Sequence, residues 1–256
     1  MPCAAGLGAQ PARLGILADI HGNVQALTAV LADMARLGVD RMVCLGDHIG
    51  YGPEPEEVVR TLIAHEPRIV AVAGNHELAL VDWRHRVRLH AAARDSLAIT
   101  RTLLSPGSLA WLTRLPRVHC HDGARYVHGC PPRSTTAYLH APGEEQLRRV
   151  FAAYAERFCF AGHTHAFGWH QQSCTGVGSR EVRIGRMTLE ADTRYLLLPG
   201  SVGQPRDPFG WHAKYLVWDQ TTRAVDFRSV PYDVQTTIRL LGERGFPAGN
   251  AARLFR

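Results

Sequence analysis

Five short clusters in this 256-residue chain carry side chains able to hold metal ions: Asp19-Ile20-His21-Gly22-Asn23, Gly46-Asp47-His48, Gly74-Asn75-His76-Glu77, His128-Gly129 and Gly162-His163-Thr164-His165. Each sets carboxylate, amide or imidazole donors on or beside a glycine, and each follows a short apolar run that reads as a β-strand. Such a set suits borderline divalent ions, with Mn²⁺ the preferred choice and Fe or Zn²⁺ also compatible. In an extended chain, residues two apart point to one face, so Asp19 would align with His21 and His163 with His165. A single pair of this kind is more often a hydrogen-bonded loop. Five clusters at strand exits argue instead that the donors converge at one edge of one sheet.

The elements that would position them follow from the apolar pattern. Residues 14–18, 41–45 and 68–73 read as strands, with helices between them. Asn23 can cap the first helix, whose apolar positions Val24, Leu27, Leu31 and Met34 recur at helical spacing, and Gly38 ends it. A second helix runs over 54–65. Residues 78–116 read as mostly helical, broken at Ser105-Pro106-Gly107. Tyr126-Val127 leads into His128, and an amphipathic helix is predicted over 146–158. Residues 158–161 form a strand into the double-histidine cluster. The alternation predicts an α/β fold with a parallel sheet, whose ligands bind beyond the carboxyl ends of the strands. Short strand-like runs at 167–170, 186–189, 195–198, 215–219 and 224–228 predict antiparallel hairpins forming a second sheet. Asp233 caps a last helix. In domain terms, residues 1–12 read as a flexible N-terminus and 13–256 as a single domain with a helical insertion at about 78–116.

Composition narrows the function classes. No apolar run approaches the roughly 20 residues that span a bilayer. Residues 1–11 lack a basic segment before an apolar one, so a cytoplasmic location is expected. The six cysteines (Cys3, Cys44, Cys120, Cys130, Cys159 and Cys174) contain no Cys-x-x-Cys pair, which argues against a disulfide framework or a zinc ribbon; Cys130, two residues after His128, reads as structural. The net charge of +6 comes almost wholly from arginine and favours anionic substrates. Arg84, Arg86, Arg88 and Arg94 form the densest basic stretch, read as a solvated helix face; without interleaved aromatics it does not indicate a dedicated nucleic-acid module. His85, His90, His119, His121, His140, His170 and His212 lie outside the clusters and read as surface or hydrogen-bonded residues.

Taken together and in order, the clusters resemble the calcineurin-like metallophosphoesterase superfamily. Residues Pro199-Gly200-Ser201-Val202-Gly203-Gln204-Pro205-Arg206 further resemble its small bacterial phosphodiesterase-like branch. The resemblance implies a two-sheet αββα sandwich with helices on the outer faces. It implies two divalent metal ions, the first held by Asp19, His21 and His165, the second by Asn75, His128 and His163, with Asp47 bridging. It implies that His76 is a substrate-facing acid or charge stabiliser, not a ligand. The implied reaction is in-line attack of a metal-bridging hydroxide on a phosphate ester of a small or nucleotide-like substrate. One departure stands out. Where the superfamily's protein Ser/Thr phosphatases continue to Asp-Arg-Gly, this chain reads Gly46-Asp47-His48-Ile49-Gly50-Tyr51-Gly52. That argues against a protein phosphatase and slightly favours a phosphodiester over a phosphomonoester. It leaves Arg133, Arg206 and His48 as candidate substrate contacts, and Tyr51 open between base stacking and loop packing. Two other classes compete: a catalytically weak regulatory or scaffold protein on the same fold, and a nuclease, whose mark would be salt-sensitive cleavage of single strands.

Overall fold

A computed structural model describes residues 13–39 and 41–255; the expectation for residues 1–12 falls outside them. In chain order, β1 (Arg13–Leu17), α1 (Val24–Arg36), β2 (Arg41–Cys44), α2 (Pro55–Ala64) and β3 (Ile69–Ala71) come first. Four helices follow: α3 (Asn75–Val81), α4 (Trp83–Arg86), α5 (Ala91–Leu103) and α6 (Pro106–Thr113). Next are β4 (Val118–His121), β5 (Ala124–Val127), α7 (Glu144–Ala152) and β6 (Phe158–Ala161). The remainder is β7 (Phe167–Ser173), β8 (Gly176–Ser179), β9 (Gly185–Thr188), β10 (Arg194–Pro199), β11 (Ala213–Asp219), β12 (Ala224–Val230), α8 (Val234–Glu243) and α9 (Ala248–Ala252). Among the described residues, no helix is long and apolar enough to cross a membrane.

The strands form two six-stranded mixed sheets, in the orders β3-β2-β1-β11-β12-β9 and β4-β5-β6-β10-β7-β8. Strand alternation sorts their side chains into layers. Ile16, Val43, Leu216 and Phe227 of the first sheet meet Tyr126, Phe160, Trp169 and Tyr195 of the second in a buried layer between the sheets. The other face of the first sheet, with Leu17, Cys44, Tyr215 and Val217, packs on Leu27, Val30 and Met34 of α1 and Val58, Val59 and Leu62 of α2. The other face of the second sheet packs Val127, Cys159 and Leu196 on Leu147, Val150 and Phe151 of α7. The fold is thus an α/β/β/α sandwich.

Two expectations are corrected. The strands after the double-histidine cluster do not make a second sheet of their own: β9, β11 and β12 join the first sheet, and β7, β8 and β10 join β4, β5 and β6. All seven residues of β11 are buried, so it must lie inside a sheet, and it pairs antiparallel with both β1 and β12. Local pattern marks such a strand as central but does not name its neighbours. The helix expected over 146–158 instead starts at Glu144 and stops at Ala152. Its apolar spacing runs on because Tyr154 joins the same cluster from beyond the helix end. Arg194 of β10 takes up one carbonyl of the last turn and one just beyond it, donating to Phe151 O at 2.9 Å and Tyr154 O at 2.6 Å.

Helix α1 is tied to the first sheet by a buried carboxylate. Asp33 accepts from Tyr215 Oη at 2.6 Å and from both Nε and Nη2 of Arg228 at 3.0 Å. Burial pushes this carboxyl up, but the Tyr215 and Arg228 donors outweigh burial and hold it below its usual range. A carboxyl depressed in the folded state adds stability above its unfolded value of 3.8 and loses it as pH falls through the folded value. Asp33→Asn is therefore expected to cost about 2–3 kcal/mol at neutral pH. The difference from wild type should narrow below about pH 4, which chemical denaturation at stepped pH measures. A gap unchanged down to pH 2 would remove the ionic contribution.

Candidate metal centre

The donor clusters do not lie at one edge of one sheet, as the sequence alone suggested. Asp19, Asp47 and Asn75 follow β1, β2 and β3 of the first sheet, whereas His128 and His163 follow β5 and β6 of the second. The centre sits where the carboxyl ends of both sheets meet. The same-face argument for Asp19 with His21 and for His163 with His165 also fails. β1 ends at Leu17 and β6 at Ala161, and all four residues adopt left-handed backbone with φ of 53°, 51°, 69° and 59°. Asp47 does the same at 53°. Such φ values are unfavourable for side-chain-bearing residues and persist where surroundings over-determine them. Here Asp19 N donates to Gly46 O at 3.1 Å, His21 N to Asp47 O at 2.9 Å and Gly22 N to His48 O at 2.8 Å, locking the two loops together.

Glu77 locks the same region from the side. Its carboxylate accepts the backbone N–H groups of Asp47 and His48, both at 2.9 Å, and of Gly74 at 2.7 Å. His76 N at the start of α3 donates to Asp47 Oδ1 at 2.9 Å. Gly74 is needed for close approach, since a Cβ there would fall 2.2 Å from Asp47 Oδ1.

Four imidazoles share one design. His21 Nδ1 lies 3.0 Å from Ile49 O, His128 Nδ1 2.7 Å from Leu45 O, His165 Nδ1 2.7 Å from Gln204 O and His163 Nε2 3.2 Å from Thr136 O. A carbonyl only accepts, so each of these outer nitrogens carries the proton and the inner nitrogen presents a lone pair. The inner nitrogens then face one another: His21 Nε2 and His165 Nε2 are 3.1 Å apart, as are His128 Nε2 and His163 Nδ1. Asp19 Oδ1, buried and without a hydrogen-bond partner, lies 3.3 Å from His165 Nε2. Asp47 Oδ2 lies 3.3 Å from His128 Nε2 and 3.7 Å from His21 Nε2, between the two groups. The Asn75 side-chain oxygen is 3.1 Å from His128 Nε2 and faces His163 Nδ1 and Asp47 Oδ2 as well, acceptors all.

So many converging lone pairs repel unless positive charge sits among them. Ionisation points the same way. Burial, partly offset by His128, pushes the Asp19 carboxyl up to about 7. Burial would lower His128, but the Asp47 charge overrides it and pulls the ring up to about 9, so that without a cation a proton on the inner Nε2 takes the cation's place beside Asp47. Burial keeps His21 and His165 well below the usual imidazole range and lowers His163 to about 3. Three groups have ligand atoms within 4.8 Å of one another: Asp19 with His21 and His165, Asp47 with His128 and His163, and His21 with Asp47 and His76. The residues fit a pair of divalent cations sharing Asp47.

The structure brings the seven expected donors and His76 together. His76 Nε2 is 3.9 Å from Asp47 Oδ2, and its buried Nδ1 has no hydrogen-bond partner. Gly50, at φ 129°, lets the chain pass this ring, because a Cβ there would lie 2.3 Å from Nδ1. Arg206 also lines the cavity over the centre. Two expected substrate contacts do not. His48 is fully buried, with Nδ1 3.4 Å from Glu77 Oε1 and its ring against Trp111, behind the Asp47 loop. Its neighbour's inward turn sends it the opposite way. Arg133 is exposed and lies outside the cavity lining. Cys130 packs against the α7 cluster and belongs to none of the donor groups among the described residues.

Tyr51, left open between base stacking and loop packing, borders the same cavity, and so do His85, Arg88, His90 and Tyr138, which were missed; the Tyr138 ring is stacked 4.0 Å from that of His163. The basic stretch read as a solvated helix face thus turns His85 and Arg88 toward the centre. Only Tyr51 carried a local signal, its position between two glycines beside the Asp47 cluster.

A family model for calcineurin-like phosphoesterases matches residues 12–167. A crystal structure of a metallophosphoesterase from Sphaerobacter thermophilus superposes with a TM-score of 0.81 at 31% identity, covering 96% of this chain and 98% of that one. A hypothetical protein from Pyrococcus horikoshii shares the fold, with a TM-score of 0.76 at 18% identity over 96% of this chain and 98% of that one. Among curated relatives, an uncharacterized protein of Methanocaldococcus jannaschii is 26% identical over 250 residues, 94% of this chain and 97% of its own. A symmetrical bis(5'-nucleosyl)-tetraphosphatase of Pseudomonas entomophila is 32% identical over 141 residues, 51% of this chain and 48% of its own. The chain therefore spans about half the length of the tetraphosphatase it matches.

Proposed function

The chain belongs to the calcineurin-like phosphoesterase family, and on that premise we propose that it hydrolyses a small, nucleotide-like phosphate ester, with a diester preferred over a monoester. We take residues 13–256 to act as one catalytic domain. Asp19, His21 and His165 would hold one ion, Asn75, His128 and His163 the other, and Asp47 both, with Mn²⁺ the first choice of metal. When bound, two such ions acidify a water and stabilise charge on the attacking and leaving oxygens.

The chain's own residues do the rest. The carbonyl-tied imidazoles hold their inner nitrogens on target without reorganisation. His76, at the cavity wall beside Asp47, donates a proton to the leaving oxygen or stabilises its charge. Arg206 and Arg88 line the cavity and favour an anionic substrate. Ser201 is not a nucleophile: its hydroxyl donates to Asp19 O at 2.8 Å and accepts from Gln204 N at 2.8 Å. The nucleotide-like substrate rests on the tetraphosphatase similarity; the diester preference rests on the missing Asp-Arg-Gly continuation, since a monoester dianion gains more from an added cation.

The observation that carries this reading is the inward convergence of the four imidazoles on Asp47 Oδ2 and Asp19 Oδ1. Hydrolysis of bis(p-nitrophenyl) phosphate and of p-nitrophenyl phosphate with added Mn²⁺ tests it. The diester is expected to turn over faster, and a chelator should abolish both activities and lower the melting temperature. A faster monoester would reverse the preference. Fully metallated protein without turnover on either ester would favour the scaffold reading.

A further inference from the structure

Gly50-Tyr51-Gly52 lies against the Asp19 and Asp47 loops, and Tyr51 is only 6% exposed. Its ring sits 4.7 Å from that of His21 and 4.9 Å from that of His76, centroid to centroid. Its hydroxyl lies 3.0 Å from His90 Nε2. The direction of that bond follows from the other ring nitrogen. His90 caps α5, and its Nδ1 accepts from Ala93 N–H at 3.3 Å, a donor shared with the His90 carbonyl at 3.0 Å. An imidazole accepting at Nδ1 carries its proton on Nε2. His90 therefore donates to Tyr51 Oη, and the hydroxyl's own hydrogen has no acceptor among the described residues. Tyr51 lines the cavity with Asp47, His76 and Arg206.

We infer that Tyr51 donates its hydroxyl hydrogen to a non-bridging oxygen of the phosphate bound at the metal centre, and that His90, as a positioning residue, turns the hydroxyl toward it. The inference rests on the phosphoesterase reading. A hydrogen bond from a hydroxyl to an anionic oxygen is charge-assisted and directional. It grips phosphate without adding a further cation to the wall, which suits a singly charged diester. Two glycines make the placement possible: besides Gly50, a Cβ at Gly52 would fall 2.2 Å from His21 O.

The test uses Mn²⁺-loaded wild type, Tyr51→Phe, His90→Asn and the double variant. Inorganic phosphate affinity is measured by calorimetry, and kcat/KM on bis(p-nitrophenyl) phosphate. Tyr51→Phe keeps the ring against His21 and His76, so metal content and melting temperature should hold while phosphate affinity and kcat/KM each fall about tenfold. His90→Asn keeps a side-chain cap on α5 but removes the Nε2–H donor. It should cost about threefold alone and nothing further in the Tyr51→Phe background. Unchanged phosphate affinity in Tyr51→Phe overturns the inference. A His90→Asn loss of equal size in both backgrounds overturns the positioning role. Weaker phosphate binding by Tyr51→Phe in a protein that hydrolyses no ester would sink the hydrolytic reading while leaving the Tyr51 contact standing.

Discussion

Asp47→Asn is expected to strip both ions from the protein and to lower turnover by about 10³-fold or more, since a metal pair supplies several kcal/mol of charge stabilisation. Asp47 Oδ1 is held by His76 N at 2.9 Å, which leaves Oδ2 to face His128 Nε2 at 3.3 Å and His21 Nε2 at 3.7 Å. Those nitrogens belong to different donor groups, so one oxygen would serve both. Asparagine keeps the shape but removes the charge, and one of its terminal atoms becomes a donor. An NH₂ group aimed at His128 Nε2 would satisfy that lone pair and compete with a cation. What should vanish is the gain in melting temperature on adding Mn²⁺. Metal analysis by mass spectrometry, alongside that thermal shift, decides the matter. Two full equivalents in Asp47→Asn would rule out the shared-carboxylate arrangement.

His76→Ala is expected to retain its metal yet lose about 10²–10⁴ in turnover, the range of general acid catalysis. The geometry makes this a demanding test. A ring nitrogen of His76 lies within 4.8 Å of ligand atoms of His21 and Asp47, close enough to share an ion with them. If it were a ligand, metal would leave with the ring; if it acts on substrate, metal would stay. The leaving group separates the roles further. A proton donor matters more for an alkoxide than for p-nitrophenolate, so the loss should be larger on an alkyl ester. Equal losses on both esters would argue against proton donation, and lost metal would make His76 a ligand.

Much of this centre was legible in the chain because each donor cluster is a short local unit. The strand, glycine and donor occur together in Gly46-Asp47 and Gly162-His163, so local chemistry alone marks them. The helix starts at Asn23 and Asp233 were readable for the same reason: their side chains accept from Ala26 N and Thr236 N, three residues on. The α7 end was not, because Arg194, far along the chain, takes one carbonyl of its last turn and one just beyond it.

By itself, then, the order of residues marked which donor side chains converge, the two-sheet sandwich its motifs resemble and the helix caps that frame them. Only the tertiary structure decided that β11 pairs with β1 and so brings late strands into the first sheet. It alone turned Asp19, His21, His163 and His165 inward through left-handed backbone, buried His48 behind Glu77, and brought His90 to Tyr51. The physical reason is range: a cap or a turn is settled by neighbours a few residues away, whereas a cavity wall is settled by which distant surfaces bury each other.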